Sequence, residues 1–457
     1  MAGAKKSKVE LPWPTILEEA TTHLSRLIQI DTTNPNGNEL PAAQYLADVL
    51  RAEGLEPVVV EPAPGRGSVI ARLKGSGEKP PLLLLSHLDV VPATKEGWLH
   101  DPFSGEVAEG EIWGRGALDC KGLAAAWLEL VLVLKRTGYP LERDIIFAAT
   151  ADEEMGGTWG VKWLAENRFD LIQAEYALNE GGGLAFRIGQ QVYYTYQTAE
   201  KAICWVRLRA KGTGGHASIP LPDNPLIHLS KAITALGTRR LPVHLTSTTS
   251  DFINALATKQ PEPLASSLRS LANPAVTDQV LKRKIEDQKL ALMVNAMLRN
   301  TASPTIIRAG EKTNVIPTQA EAEVDCRILP GQTPESLRSE LELVLGKALA
   351  RQRHRLEVEF TRTSLPTESE PQTPLTEAIK KALAQHAPQA TLVPYLVPGA
   401  TDARFLRPKG MIVYGFWPTL PQVDHSTVHG LNERLSLASF DFALRLLWDV
   451  ITGFAGK

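Results

Sequence analysis

The sequence predicts an α/β protein with a mostly parallel sheet, interrupted by an inserted α+β sandwich. Three observations carry that expectation. Runs such as Leu82-Leu83-Leu84-Leu85 and Asp144-Ile145-Ile146-Phe147-Ala148-Ala149-Thr150 are short, apolar and bounded by turn residues, as in strands covered on both faces. Segments with helical spacing separate them, and strands joined through helices lie parallel. Near residue 190 the pattern changes to closely spaced, alternating strands, and after about residue 367 the first pattern returns. A chain of 457 residues exceeds one simple core. The expected division is 1–191 with 367–457 as one domain, and 192–366 as the insertion.

Taken in order, residues 15–30 carry apolar positions at helical spacing and stop at the turn cluster Asp31-Thr32-Thr33-Asn34-Pro35. A second helix over 39–52 closes at Gly54. Strands are expected at 56–61, 68–74 and 82–85, a long helix at 121–135, and strands at 144–150 and 176–178, with a short helix at 160–167 between them. In the insertion, 191–197 and 202–211 read as an antiparallel pair. A helix at 224–236, a largely helical stretch at 246–300, strands at 305–309, 320–328 and 355–361, and a helix at 334–351 follow. Helix 375–386, strand 411–416 and a last helix from 435 to 453 complete the first domain.

The formal net charge of -2, without a block of like charge, excludes a nucleic-acid footprint. The one basic cluster, Lys5-Lys6-Ser7-Lys8, has no apolar stretch after it and reads as a solvated tail rather than a secretory signal. The longest apolar runs are too short to span a bilayer. Cys120, Cys204 and Cys326 are widely spaced and form no disulfide framework, which points to a reducing, cytoplasmic setting.

The chemistry concentrates where strands end. His87-Leu88-Asp89 follows the run at 82–85, at the carboxyl end where ligands collect in parallel sheets. A histidine and a carboxylate two residues apart there read as a metal ligand and its orienting partner. Asp119, Asp152-Glu153-Glu154, Glu180 and His429 follow at matching places. Each has a plainer alternative. His87 can be a hydrogen-bonded core histidine, Asp119 a cap for the helix at Lys121, Glu153-Glu154 a solvated turn, and Glu180 a loop acid.

Five ordered motifs decide between these readings: SHLDVVPA at 86–93, GRGALDCKG at 114–122, ADEEMGG at 151–157, NEGGG at 179–183 and HGLNE at 429–433. In this order they resemble the di-zinc aminoacylase/carboxypeptidase family, which includes acetylornithine deacetylase, succinyl-diaminopimelate desuccinylase, aminoacylase, glutamate carboxypeptidase and several dipeptidases. The resemblance spans nearly the whole chain. It implies that His87 and Glu180 bind a first metal, Glu154 and His429 a second, and that Asp119 bridges both. It makes Asp89 the partner of His87 and Glu153 the general base. Imidazole and carboxylate ligands suit Zn²⁺, with Co²⁺ or Mn²⁺ as substitutes, and a bridging carboxylate suits a co-catalytic pair about 3.5–4 Å apart. His429 is preferred over the nearby His425 because a short spacer and an acid, Glu433, follow it.

The resemblance also makes 192–366 a lid and dimerisation domain. His216, in the Gly-rich run 212–220, would reach the partner subunit's site in a homodimer and donate to an oxyanion. Asn314, Arg327 and Thr401 would hold the substrate, Arg327 by a two-pronged grip on a carboxylate. For Arg327 the plain alternative is a salt bridge at a strand end. Two departures from the family stand out: Cys120 follows the bridging Asp, read as a small buried residue, and Ala400 replaces a glycine in the loop near 400.

The expected activity is hydrolysis of an amide bond next to a free carboxylate, on a small peptide or an N-acyl amino acid. The fuller stretch from Pro102 to Gly122 looks like the carboxypeptidase and dipeptidase branches, so a dipeptidase/carboxypeptidase leads and an N-acyl amino acid deacylase is the alternative. A non-catalytic binding protein on the same fold is disfavoured because every ligand position is filled, and a serine hydrolase because no G-x-S-x-G elbow is present.

Overall fold

A computed structural model of the chain describes residues 10–457 except Lys284 and Glu286; the basic cluster at 5–8 lies outside the described residues. The chain forms two compact units. The first comprises the described residues up to Tyr196, with Gln372–Leu392 and Phe405–Lys457. The second comprises Gln197–Pro371 and Val393–Arg404.

The first unit is built on strands β1 (Val58–Val60), β2 (Ser68–Leu73), β3 (Lys79–His87), β4 (Arg143–Thr150), β5 (Tyr176–Asn179) and β10 (Ile412–Gly415). They lie in the order β1-β2-β4-β3-β5-β10. β4, β3, β5 and β10 are parallel, with Leu82 opposite Ile145 and Tyr176, and Gly415 opposite Asn179. β1 and β2 run antiparallel at one edge. The apolar runs are buried from end to end, as a sheet covered on both faces requires.

The helix Lys121–Thr137 supplies part of that cover. It is buried without a break from Lys121 to Leu134, so it is covered on every side rather than along one stripe, with Lys121 and Glu129 as its buried charged groups. Its Trp127 is fully buried and donates from the indole nitrogen to the Leu85 carbonyl at 3.0 Å, fixing the helix on β3. Truncating such a tryptophan costs about 3–5 kcal/mol. Gly138, in the left-handed conformation, ends the helix, after Lys135 and Arg136 complement its carbonyl end.

The second unit holds an antiparallel sheet of β6 (Ala202–Lys211), β7 (Thr301–Ala309), β8 (Gln319–Ile328) and β9 (Leu356–Thr363), in the order β7-β8-β6-β9. Ala202, Cys204, Val206, Leu208 and Ala210 point into its core; Arg207 and Arg209 face the other way and pair with Glu323 at 2.9 Å and Glu321 at 2.6 Å. The helices Pro225–Thr238 and Pro334–Leu349 complete this core.

One expected pairing is absent. Residues 191–197 belong to a strand, Gln191–Glu200, that pairs with Ala185–Ile188, whereas β6 pairs with β8 and β9. Lys201 alone separates the two strands, too short a link for them to fold back on each other. The segment Val393–Arg404, which the sequence assigns to the first domain, groups with the second unit. Glu200 anchors it there: its Oε2 accepts from the Thr401 amide at 2.8 Å and from the Thr401 hydroxyl at 2.9 Å.

Candidate metal centre

Because β3, β4 and β5 are parallel and in register, their carboxyl ends open on one edge. His87 ends β3, the Asp152-Glu153-Glu154 turn follows β4, and Glu180 follows β5. Asp119 and His429 arrive on loops and meet at this edge. Asp119 stands between two imidazoles: its Oδ1 lies 3.0 Å from His87 Nε2 and its Oδ2 lies 3.0 Å from His429 Nε2. Glu180 approaches His87 Nε2 at 3.8 Å, and Glu154 approaches His429 Nε2 at 2.9 Å. Among the described residues these atoms form two groups of ligand geometry that share Asp119: His87, Asp119, Cys120 and Glu180, and Asp119, Glu154 and His429.

The donor set fits two divalent cations. Three carboxylates surround two imidazoles, an excess of negative charge that calls for positive charge. The imbalance shows in the titration of the groups themselves. Asp119 and Glu154 push His429 up to about 10. Burial raises the Asp119 carboxyl, but the two histidines hold it far below its ordinary range.

The backbone around this centre is held by buried charge. Asp89 is fully buried, and its carboxylate spans the turn after β4: Oδ1 accepts from the Glu153 amide and Oδ2 from the Glu154 amide, each at 3.0 Å. His87 Nδ1 lies 2.9 Å from the Asp89 carbonyl and 3.5 Å from its carboxylate. The main chain of Asp89 thus sets the His87 tautomer, while its side chain positions the two glutamates. Asn34 donates to Asp89 Oδ2 at 2.7 Å; Arg66 in turn donates to Asn34 at 3.0 Å and to Glu39 at 2.6 Å. Glu39 also accepts from the Asp152 amide at 3.3 Å. Asp152 and His429 both have left-handed backbones, at φ 70° and φ 59°, a conformation that costs free energy and needs such support.

The Asp119 loop is fixed likewise. Lys121 is fully buried and donates to the Leu27 and Ile30 carbonyls at 2.9 and 2.8 Å; burial pushes its ammonium down to about 7. Gly122 lies where a Cβ would come within 2.2 Å of the Ala117 carbonyl, so only glycine lets the helix start here. Cys120 is buried as expected. Its sulfur accepts from the His87 amide at 3.2 Å, and burial pushes the thiol up to about 12. His425 stands apart from the cluster: it bonds Thr419 at 2.8 Å, and burial pushes it down to about 4.

His216, Asn314, Arg327 and Thr401 all lie in the second unit. Gly215–His216 pairs with Val315–Ile316, so His216 and Asn314 share one ribbon, and Ala217 donates to the Asn314 carbonyl at 3.0 Å. His216 is exposed, with Nδ1 2.7 Å from the Ser218 hydroxyl. Both prongs of Arg327 are held by Asp325, at 2.7 and 3.0 Å, which is the strand-end ion pair. The Thr401 hydroxyl donates to Glu200 and accepts from the Ala403 amide at 3.2 Å, so this side chain anchors its loop.

The sequence does not mark Asn34, Glu39, Arg66 or Glu200 as supports. Asn34 falls in a segment that reads as an ordinary turn, and only the spatial pairing of buried charges reveals the others.

A metal-binding edge on a parallel sheet, joined in sequence to a separate antiparallel unit, is the architecture of a co-catalytic metallohydrolase. Residues 83–452 match peptidase family M20/M25/M40, and the chain belongs to that family, whose members hydrolyse amide bonds. It is 30% identical over 378 residues to the human N-fatty-acyl-amino acid synthase/hydrolase PM20D1, covering 81% of this chain and 73% of that one. It is 28% identical over 435 residues to rat aminoacylase-1A, covering 94% of each. The fold matches the M20 metallo-carboxypeptidase Sso-CP2 of Sulfolobus solfataricus with a TM-score of 0.71 at 19% identity, over 95% of this chain and 99% of that one. It matches human carnosine dipeptidase 1 with a TM-score of 0.68 at 16% identity, over 97% and 99%. Among the described residues no helix is long and apolar enough to cross a membrane.

Proposed function

We propose that this enzyme removes the acyl group from N-acyl amino acids, using two zinc ions shared at Asp119. The observation that carries the reading is Asp119 itself, whose two oxygens each face a different imidazole at 3.0 Å. His87 and Glu180 would hold one ion, and Glu154 and His429 the other. When bound, the ions acidify water and polarise the scissile carbonyl. Glu153, buried beside Glu154, takes a proton from the attacking water and passes it to the departing amine. Asp89 keeps Glu153 and Glu154 aimed by gripping their amides. His216, from the partner of a homodimer, donates to the developing oxyanion, while Asn314 and Arg327 receive the amino acid and Glu200 holds the Thr401 loop. Three free, buried cysteines suit a cytoplasmic enzyme.

The acyl reading rests on PM20D1 and aminoacylase-1A, which resemble the chain at 28–30% identity. Dipeptide or carboxypeptidase cleavage is the second reading, favoured by the likeness in fold to a carboxypeptidase and a dipeptidase. The chemistry at the carbonyl is the same.

The test strips the protein with a chelator and restores Zn²⁺, Co²⁺ or Mn²⁺ before assaying N-acyl amino acids beside dipeptides. Expected are about two ions per chain, no turnover when stripped, and recovery on N-acyl substrates. Glu153→Gln should keep its metal and lose at least about a hundred-fold in turnover. Full activity in a metal-free protein overturns the reading; turnover of dipeptides alone selects the second one.

A further inference from the structure

A cleft of about 350 Å³ opens in the second unit, and none of the metal-facing residues lines it. Its charged lining comes from separate segments. Arg239 and Arg240 follow the helix Pro225–Thr238, Asp278 lies on the helix Thr277–Arg283, Arg299 precedes β7, and Glu340 and Lys347 stand on the helix Pro334–Leu349. Four cations therefore meet two carboxylates, in a chain whose formal net charge is -2. Both carboxylates are already engaged. Asp278 Oδ1 accepts from Arg240 at 2.7 Å and from Arg299 at 2.6 Å. Glu340 pairs with His244 and accepts from Asn300 at 3.1 Å. Among the described residues Arg239 and Lys347 have no carboxylate partner. Arg299 is 6% exposed and is pinned to the Leu241 carbonyl at 2.6 Å and to Asn295 at 3.1 Å. Burial, with Arg240 close by, outweighs Asp278 and holds its guanidinium below the ordinary value. Beside these charges the wall is apolar: Leu343 and Val344 share a helix face with Lys347, and Pro242 adjoins them in the cleft. Leu343 is 54% exposed there.

We propose that this cleft binds a small phosphate monoester, with its phosphate between Arg239, Arg240 and Lys347 and its organic group on Pro242, Leu343 and Val344. Charge decides the class. Four cations less two carboxylates leave two positive charges, and a phosphate monoester carries about −1.5 to −2 at pH 7. A single carboxylate matches half of that. Guanidinium forks also suit phosphate oxygens, and Asp278 already orients Arg240, so less ordering is left to binding. The apolar wall offers the organic group a surface that a bare ion leaves in water. The plain alternative is that Arg239 and Lys347, each at the carbonyl end of a helix, serve only to complement those ends.

The experiment titrates the zinc-loaded full chain with phenyl phosphate, inorganic phosphate, benzoate and phenol by calorimetry. Salt is held at about 0.15 M, where loose ion pairing is screened. The Arg239→Gln/Lys347→Gln variant changes two exposed side chains, and Arg239→Lys/Lys347→Arg keeps their charge. Expected is a single phenyl phosphate site per chain, about tenfold tighter than benzoate and about fivefold tighter than inorganic phosphate. Phenol should not bind. The neutral variant should lose about tenfold or more, the charge-keeping variant should recover most of it, and stripping the metal should change nothing. Binding that survives the neutral variant and vanishes with a chelator belongs to the metal centre and overturns the cleft. Equal, weak binding of phosphate and benzoate marks an adventitious ion only and overturns it too, as does no binding at all, which leaves the cations to their helix ends.

Discussion

The carboxylate of Glu433 holds the backbone of Asp119 from beneath: its Oε1 accepts from the Leu118 amide at 2.9 Å and the Asp119 amide at 3.1 Å. Its Oε2 lies 2.6 Å from Arg115 Nη1, and Arg115 also reaches the Gly430 carbonyl at 2.9 Å. One buried ion pair therefore ties the loop of Asp119 to the loop of His429.

Glu433→Gln should weaken metal binding by about 10- to 100-fold, the usual cost of losing support behind a ligand. The amide can still accept from the two backbone groups, but it turns a donor toward Arg115. Leaving that guanidinium unpaired costs about 3–5 kcal/mol of stability. Competition with a chromophoric chelator, well below the variant's Tm, separates the two effects. Unchanged affinity would show that Asp119 keeps its place without Glu433.

A second prediction concerns Glu129, fully buried in the helix Lys121–Thr137. His23 Nε2 lies 3.9 Å away and Arg136 3.8 Å. Burial first, then Glu19 and Glu53, push its carboxyl up to about 8 despite Arg136. An acid raised in this way binds a proton that the unfolded chain releases. Its stabilisation is whole below about pH 4.5 and is lost as the pH rises through about 8. Glu129→Gln should therefore gain on the wild type by about 2–4 kcal/mol between pH 4.5 and 8.5. Burial holds His23 below its ordinary value, which acts in the opposite sense at the acid end, so urea midpoints must be compared pH by pH. A difference that does not vary with pH would sink the argument.

The third prediction concerns His216. If it completes the partner's site, His216→Ala and Glu153→Gln, each inactive alone, should regain part of the activity as mixed dimers. Exchange is verified by native mass spectrometry before the assay. No recovery after exchange, or a fully active monomer, rejects the shared site.

How much of this was legible depends on where each partner sits in the sequence. His87, Asp119, Glu154, Glu180 and His429, which the fold brings together, each close or follow a recognisable strand or motif, as Glu153 does. Asp89 was legible as a neighbour of His87, whose Nδ1 lies 3.5 Å from its carboxylate, but its further contacts were not. The same carboxylate also accepts from amides 64 and 65 positions away, which no local pattern marks. The strand at 191–197 was misplaced because alternation marks a strand without naming its neighbour. Thr401 sits in a substrate-type loop, yet its hydroxyl is turned to Glu200, a bond between residues 201 positions apart.

The bond from Glu433 to Asp119 bridges 314 positions of sequence. Residues before 429 supply His87, Asp119 and the glutamates, but neither the second imidazole nor the carboxylate beneath Asp119. The two metal-facing loops are therefore held by residues from opposite ends of a 314-position span, and neither loop is supported by its own neighbours in sequence alone.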